Sequence, residues 1–192
     1  MIRIALVGNI ASGKSTVEKF LTEKYGFSVL DTDKACHFLL EKLSAKIIQE
    51  FKNYEILDEN GRLSREKLGK VVFYNEDLKT KLENILYPNL RVEINKYFEE
   101  HKSEKFVFVA IPLLFEANMK NLFDKIMFVY CNDEIRLERL IKRNNYTREY
   151  AQKRLNSQLS QEEKVEKSDI IIQNNSDKIA LEQEIDKALN KL

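Results

Sequence analysis

A run of apolar residues, Ile2-Arg-Ile-Ala-Leu-Val7, passes straight into Gly8-Asn-Ile-Ala-Ser-Gly-Lys-Ser15. No other feature of the chain restricts its folding so tightly. The pattern G-x-x-x-x-G-K-[ST], set between a strand and a helix, makes a loop that holds phosphate. Gly8 and Gly13 let the backbone curl with its N–H groups inward, and a helix starting near Lys14 adds the positive end of its dipole. Lys14 can reach the β- and γ-phosphates of a nucleotide, and the Ser15 hydroxyl can ligate Mg²⁺. The backbone of residues 9–15 (Asn9, Ile10, Ala11, Ser12, Gly13, Lys14 and Ser15), with Thr16 behind it, is the expected grip. The expected ligand is a nucleoside triphosphate.

The rest of the chain alternates strand-like and helical runs, which predicts a parallel sheet with helices on both faces. The first strand is Arg3–Val7. The second is Phe27–Leu30, ending at Asp31-Thr32-Asp33, and the third is the continuous apolar run Lys105–Ile111, a central strand buried on both faces. Lys125–Cys131 and Ser168–Gln173 complete five strands. Between the second and third strands, residues 35–100 are long and mostly helical, with breaks expected near Asn60-Gly61 and at Pro88. That stretch is too long for a plain crossover and is expected to form a helical lobe shaping a second-substrate site. From Asp133 to Lys167 two helices are expected, joined near Asn144-Asn145-Tyr146-Thr147. The expected division is a core of 1–34, 101–135 and 166–192, a lobe of about 35–100 and a lid of about 136–165.

Charge excludes several classes of partner. Thirty-two basic and 31 acidic residues leave a net charge of +1, which is no footprint for nucleic acid or an anionic membrane. No apolar stretch approaches the roughly 18 residues that span a bilayer. Cys36 and Cys131 are too few for a disulfide framework or a zinc site. With a strand beginning at residue 3, no signal peptide is expected, and the reading is a cytoplasmic monomer or weak homo-oligomer.

Two clusters point from nucleotide binding to phosphoryl transfer. Asp31 and Asp33 lie at the end of the second strand, where open α/β sheets place their ligands. In an extended segment residues i and i+2 point the same way, so both carboxylates could face the phosphate loop. One could orient or deprotonate an acceptor hydroxyl while the other holds the metal's water shell; alternatively, Asp33 could simply cap the helix that follows. Arg139 and Arg143 stand i,i+4 on one helix face just before the expected hinge. A basic lid of this kind neutralises a moving phosphate and excludes water. The N-K-x-D of guanine recognition is absent. The third strand runs into Pro112-Leu-Leu-Phe-Glu116 rather than the Asp-Glu of hydrolysing ATPases.

In sum these landmarks resemble the dephospho-coenzyme A kinase family. The resemblance rests on the phosphate loop, Asp31-Thr32-Asp33, Gly61-Arg-Leu63-Ser-Arg65 through Val72-Phe73, Tyr87-Pro88 opening a helix and Pro112–Glu116. It continues through Leu137-Glu-Arg139-Leu-Ile-Lys-Arg143, Ala151–Arg154, Ser157-Gln158 and Ser168–Gln173 with Asn174-Asn175. Asn9 and Ala11 stand where the family usually has glycines, Tyr87 replaces a histidine, and Arg136 a glutamine. The resemblance implies a three-layer kinase fold with a helical acceptor lobe and lid, and transfer of the ATP γ-phosphoryl to the ribose 3′-hydroxyl of dephospho-CoA. For that chemistry the residues offer Asp33 as the base with Asp31 second, and Arg139 then Arg143 on the moving phosphoryl. Asn174 and Asn175 fit beside the adenine, and Tyr87, Leu113 and Phe115 would line the acceptor pocket. The alternatives are another small-molecule or nucleotide kinase of the same fold, or a nucleotide-binding switch without catalysis. The aspartate pair and the lid arginines argue against the switch.

Overall fold

The computed structural model describes residues 1–192. Five strands, β1 (Ile2–Gly8), β2 (Val29–Asp31), β3 (Phe106–Ala110), β4 (Lys125–Tyr130) and β5 (Ile170–Gln173), form one parallel sheet in the order β2-β3-β1-β4-β5. The chain from β1 runs toward β2, whereas the chain from β3 crosses to β4. The order therefore reverses at the carboxyl ends of β1 and β3, the place where open α/β sheets receive ligands. Register brings the relevant ends level: Asp31 pairs with Ala110, Leu6 with Ala110, Gly8 with Val129 and Tyr130 with Gln173.

Strand β1 is central and closed on both faces. Ile4 and Leu6 join Phe108, Met127, Val129 and Ile172 against α1 (Lys14–Glu23) and α9 (Lys178–Leu189). Ala5, Val7, Val107 and Val109, which alternate with them, are equally shut off from solvent. This two-sided burial is why the strands read as unbroken apolar runs. Strand β2 is shorter than Phe27–Leu30, starting two residues later and ending one later; Phe27 instead donates its N–H to the Leu21 carbonyl and packs its ring onto Phe106 and Phe108.

Two compact units emerge, residues 1–31 with 97–192, and residues 32–96. The second is helical: α2 (Thr32–Lys42), α3 (Ser44–Glu50), α4 (Arg65–Phe73) and most of α5 (Glu76–Glu100). The chain does break around Asn60-Gly61, where Gly61 takes φ 74° in a turn closed onto Asp58.

Three expectations need correction. Pro88 neither ends nor opens a helix; it lies inside the 25-residue α5. Proline removes one N–H from the helical ladder. The carbonyl left without that donor is the one at Asn84, yet Ile85, Leu86, Leu90 and Ile94 bury one helical stripe across the proline. Packing thus outweighs the local break. The stretch 133–167 holds three helices, α6 (Asp133–Asn144), α7 (Arg148–Leu155) and α8 (Gln161–Glu166), not two. Asn145 stops α6 in the left-handed region at φ 54°. Ser160 starts α8 by accepting a hydrogen bond from the Glu163 N–H at 3.2 Å, the S-x-x-E signature of a helix start. Finally, α2 begins at Thr32, so Asp33 lies in its first turn rather than before it. The two aspartates therefore do not share a direction through strand alternation.

No helix is long and apolar enough to cross a membrane.

Candidate active site

The loop from Gly8 to Ser15 closes on itself with little room to spare. A Cβ on Gly8 would stand 2.5 Å from Ser12 Oγ and 3.2 Å from Lys14 Cβ. Gly13 caps α1 at φ 95°, and a Cβ there would collide with the Asn174 amide. Replacing Gly13 by alanine should accordingly cost about 2 kcal/mol of stability through left-handed strain and displacement of Asn174. Nucleotide binding should fall at the same time. Thermal melting and ATP titration check this together; an alanine variant matching the parent in both would contradict the packing.

Which amides remain for a ligand follows from the bonds already made. The Ile10 N–H donates to Gln158 Oε1 at 2.8 Å and the Ser12 N–H to the Asn9 carbonyl at 3.0 Å. Those two amides are spent, so the expected grip by the whole stretch 9–15 narrows. Lys14 and Ser15 open α1, whose first N–H groups have no intrahelical acceptor. Lys14 Nζ lies 3.9 Å from Glu18 Oε2 one turn along the helix. The Ser15 and Thr16 side chains are exposed.

Beside this loop is a cleft of about 320 Å³ lined by Gly13, Thr16, Arg139, Asn174, Ser176 and Asp177. Asn174 follows β5, is 6% exposed, and donates from Nδ2 to the Ser12 carbonyl at 2.7 Å. It thus ties the end of β5 to the phosphate loop. Asn175 is turned the other way, its Oδ1 accepting from the Asn132 N–H at 2.7 Å. Arg139 reaches the cleft from α6, with Nη1 3.3 Å from Cys131 Sγ. Burial pushes the Cys131 thiol above its ordinary range, so at neutral pH it is an uncharged S–H and leaves the arginine's charge unneutralised. Arg143, one turn further, is exposed and bonds Asn144 Oδ1 at 2.8 Å. The structure therefore brings Arg139, Asn174, Gly13 and Thr16 together, and leaves Arg143 and Asn175 outside that cleft.

Asp31 ends β2 half-buried and Asp33 is exposed in the first turn of α2. After β3, Leu113 is 39% exposed and Phe115 half-buried. Glu116 pairs at 2.8 Å with Lys164, a lysine wholly withdrawn from solvent. Tyr87 is half-buried on α5. Within the helical unit a second cavity of about 550 Å³ is lined by Leu40, Glu41, Ser44, Ile48, Arg62 and Arg65. His37 stands 2.6 Å from Arg65 Nη2.

Sequence reasoning named Gln158 only as a landmark of the resemblance, not for its contact with Ile10, and missed Gln161 and the partner role of Arg136. Gln161 Nε2 donates to the Cys131 carbonyl and to Asp133 Oδ1, both at 2.8 Å. The S-x-x-E start at Ser160 was a signal for α8, although nothing local told where its first residue would point.

Comparison with known proteins places the chain in a family. A sequence profile of the family described as dephospho-CoA kinase matches residues 2–180. A dephospho-CoA kinase of Fusobacterium nucleatum is 44% identical over 175 residues, covering 90% of this chain and 89% of the relative. Among solved structures, a Thermus thermophilus protein superposes with a TM-score of 0.85 at 30% identity over 100% of this chain and 97% of that one. A dephospho-CoA kinase from Campylobacter jejuni does so with a TM-score of 0.75 at 31% identity, covering 98% and 96%. Because the likeness runs from β1 into α9 without a gap in the architecture, the chain belongs to the dephospho-CoA kinase family.

Proposed function

We propose that this chain performs its family's reaction by moving the γ-phosphoryl of ATP to the ribose 3′-hydroxyl of 3′-dephospho-CoA, releasing ADP and CoA. The donor half rests on one juxtaposition: a phosphate loop with unspent amides at the start of α1 opens beside the Arg139–Asn174 cleft. The acceptor half rests on family membership.

In this reading the base of ATP lies beside Asn174, its β- and γ-phosphates lie over the amides of Gly13, Lys14 and Ser15 with the Lys14 ammonium alongside, and Arg139 reaches the moving phosphoryl. Ser15 is the residue to hold Mg²⁺. Its hydroxyl is exposed at the loop's end, and Mg²⁺ takes few protein ligands, relying on substrate phosphates and water. Bound there, the ion would neutralise phosphate charge. Asp33, with Asp31 second, orients the acceptor hydroxyl and takes its proton. The transition state of phosphoryl transfer is loose, so positioning counts for more than early proton removal. Leu113, Phe115 and Tyr87 supply apolar surface to the acceptor, and Arg143 approaches the moving group with the lid.

Arg139→Ala should lower kcat about 100-fold, the usual scale for removing one transition-state contact. The ATP Kd should rise less than tenfold. Titration calorimetry beside steady-state rates separates the two; a larger loss in binding than in turnover would make Arg139 a ground-state contact. The reaction itself is tested by incubating the protein with ATP, Mg²⁺ and dephospho-CoA. Acceptor-dependent ADP release and an acceptor heavier by one phosphate are expected. Tight ATP binding without transfer would overturn the acceptor assignment.

A further inference from the structure

One residue of the phosphate loop is held at both ends by the lid. The Ile10 N–H donates to Gln158 Oε1 at 2.8 Å, and the Ile10 carbonyl accepts from Arg136 Nε at 3.0 Å. Next to it, Asn9 Nδ2 donates to the Leu159 carbonyl at 2.9 Å. Arg136 is itself fixed: Nη1 bonds Asp133 Oδ1 at 2.7 Å, and Gln161 holds that same carboxylate oxygen at 2.8 Å.

A peptide group is planar and trans, so its C=O and the following N–H point in opposite directions. Anchoring the Ile10 carbonyl on Arg136 therefore aims the Ala11 N–H away from the lid helix. Anchoring the Ile10 N–H on Gln158 fixes the preceding peptide as well, whose Asn9 carbonyl already receives the Ser12 N–H. Ala11 then has to adopt φ 62°, a left-handed conformation that a Cβ disfavours and a loop free to relax would leave. The Ala11 N–H finds no acceptor within the protein.

A purely structural role explains Arg136 poorly. It is 2% exposed, yet its Nη2 has no partner. A buried guanidinium with an unmade bond stabilises a fold less than an apolar side chain of similar volume would. Its bonds go to the loop backbone and to Asp133 rather than into the apolar core.

We infer that Arg136 and Gln158 are positioning residues which, acting through Ile10, aim the Ala11 N–H at the terminal phosphates of the nucleotide. The inference rests on the reading that this loop receives ATP, and it adds a lid-borne clamp that sets the loop's affinity for the β- and γ-phosphates.

The test uses Arg136→Met and Gln158→Leu in the full chain, with ATP and AMP titrated calorimetrically beside thermal melts. AMP lacks the phosphates in question. Each variant should bind ATP about tenfold more weakly while AMP affinity stays within twofold. The double variant should be little worse than the poorer single one, because both act through one peptide unit. Unchanged ATP affinity, equal weakening of ATP and AMP, or additive losses would overturn the inference. Should Arg136→Met fail to fold, the half-buried Gln158 carries the same comparison. Binding needs no acceptor, so failure of the dephospho-CoA assay would be seen separately from failure here.

Discussion

Replacing Lys14 with methionine should lower kcat by about 10³ with the fold intact. The side chain opens α1 with its ammonium turned back toward Glu18 at 3.9 Å, and one long i,i+4 pair contributes only a few tenths of a kcal/mol. In the proposed reaction its charge would act where phosphate charge is redistributed. There a single preorganised cationic contact is worth roughly 3–4 kcal/mol, or two to three powers of ten in rate. Methionine retains the stem and its packing, so a thermal melt within about two degrees of the parent is expected alongside the lost turnover. Steady-state ADP release at saturating acceptor decides it. A variant within threefold of the parent rate would mean that the loop amides alone carry the phosphates.

Asp33→Asn is expected to reduce kcat about 100-fold, the lower end of what a positioned base contributes, because the transition state asks for orientation more than for deprotonation. Asp33 also lies in the first turn of α2, where a negative charge favours the helix by about 0.3–1 kcal/mol. A small drop in melting temperature should therefore accompany the rate loss. Asp31→Asn, at the end of β2, should cost less turnover than Asp33→Asn. The reverse order would exchange their roles, and near-normal turnover in both would remove the pair from the chemistry.

Much of the site was legible because its signals are local. Gly8, Gly13, Lys14 and Ser15 sit within eight residues, and the conformations they need are those of one strand, one turn and one helix start. Asp31, the motif after β3 and Asn174 all follow apolar runs, so their place at the carboxyl end of a parallel sheet could be inferred from strand boundaries. What failed had non-local causes. Pro88 looks like a stop until the buried stripe from Ile85 to Ile94 is seen to continue across it. Asp33 looks like a cap until the helix is seen to begin one residue before it. Arg143 stands one turn from Arg139, yet only Arg139 lines the cleft, because Cys131 and Asn174 come to it from the ends of two other strands.

By itself, then, the amino-acid sequence determined the phosphate loop, the five parallel strands, the family and the reaction to test, since each depends on residues close together in the chain. Only the tertiary structure decided the strand order and the Asn174 bond across 162 positions to Ser12. It alone also decided that Arg136 and Gln158 close on Ile10 from 126 and 148 residues away. Such contacts carry no periodicity or spacing, because their partners meet only after the core has packed and set two distant backbones side by side.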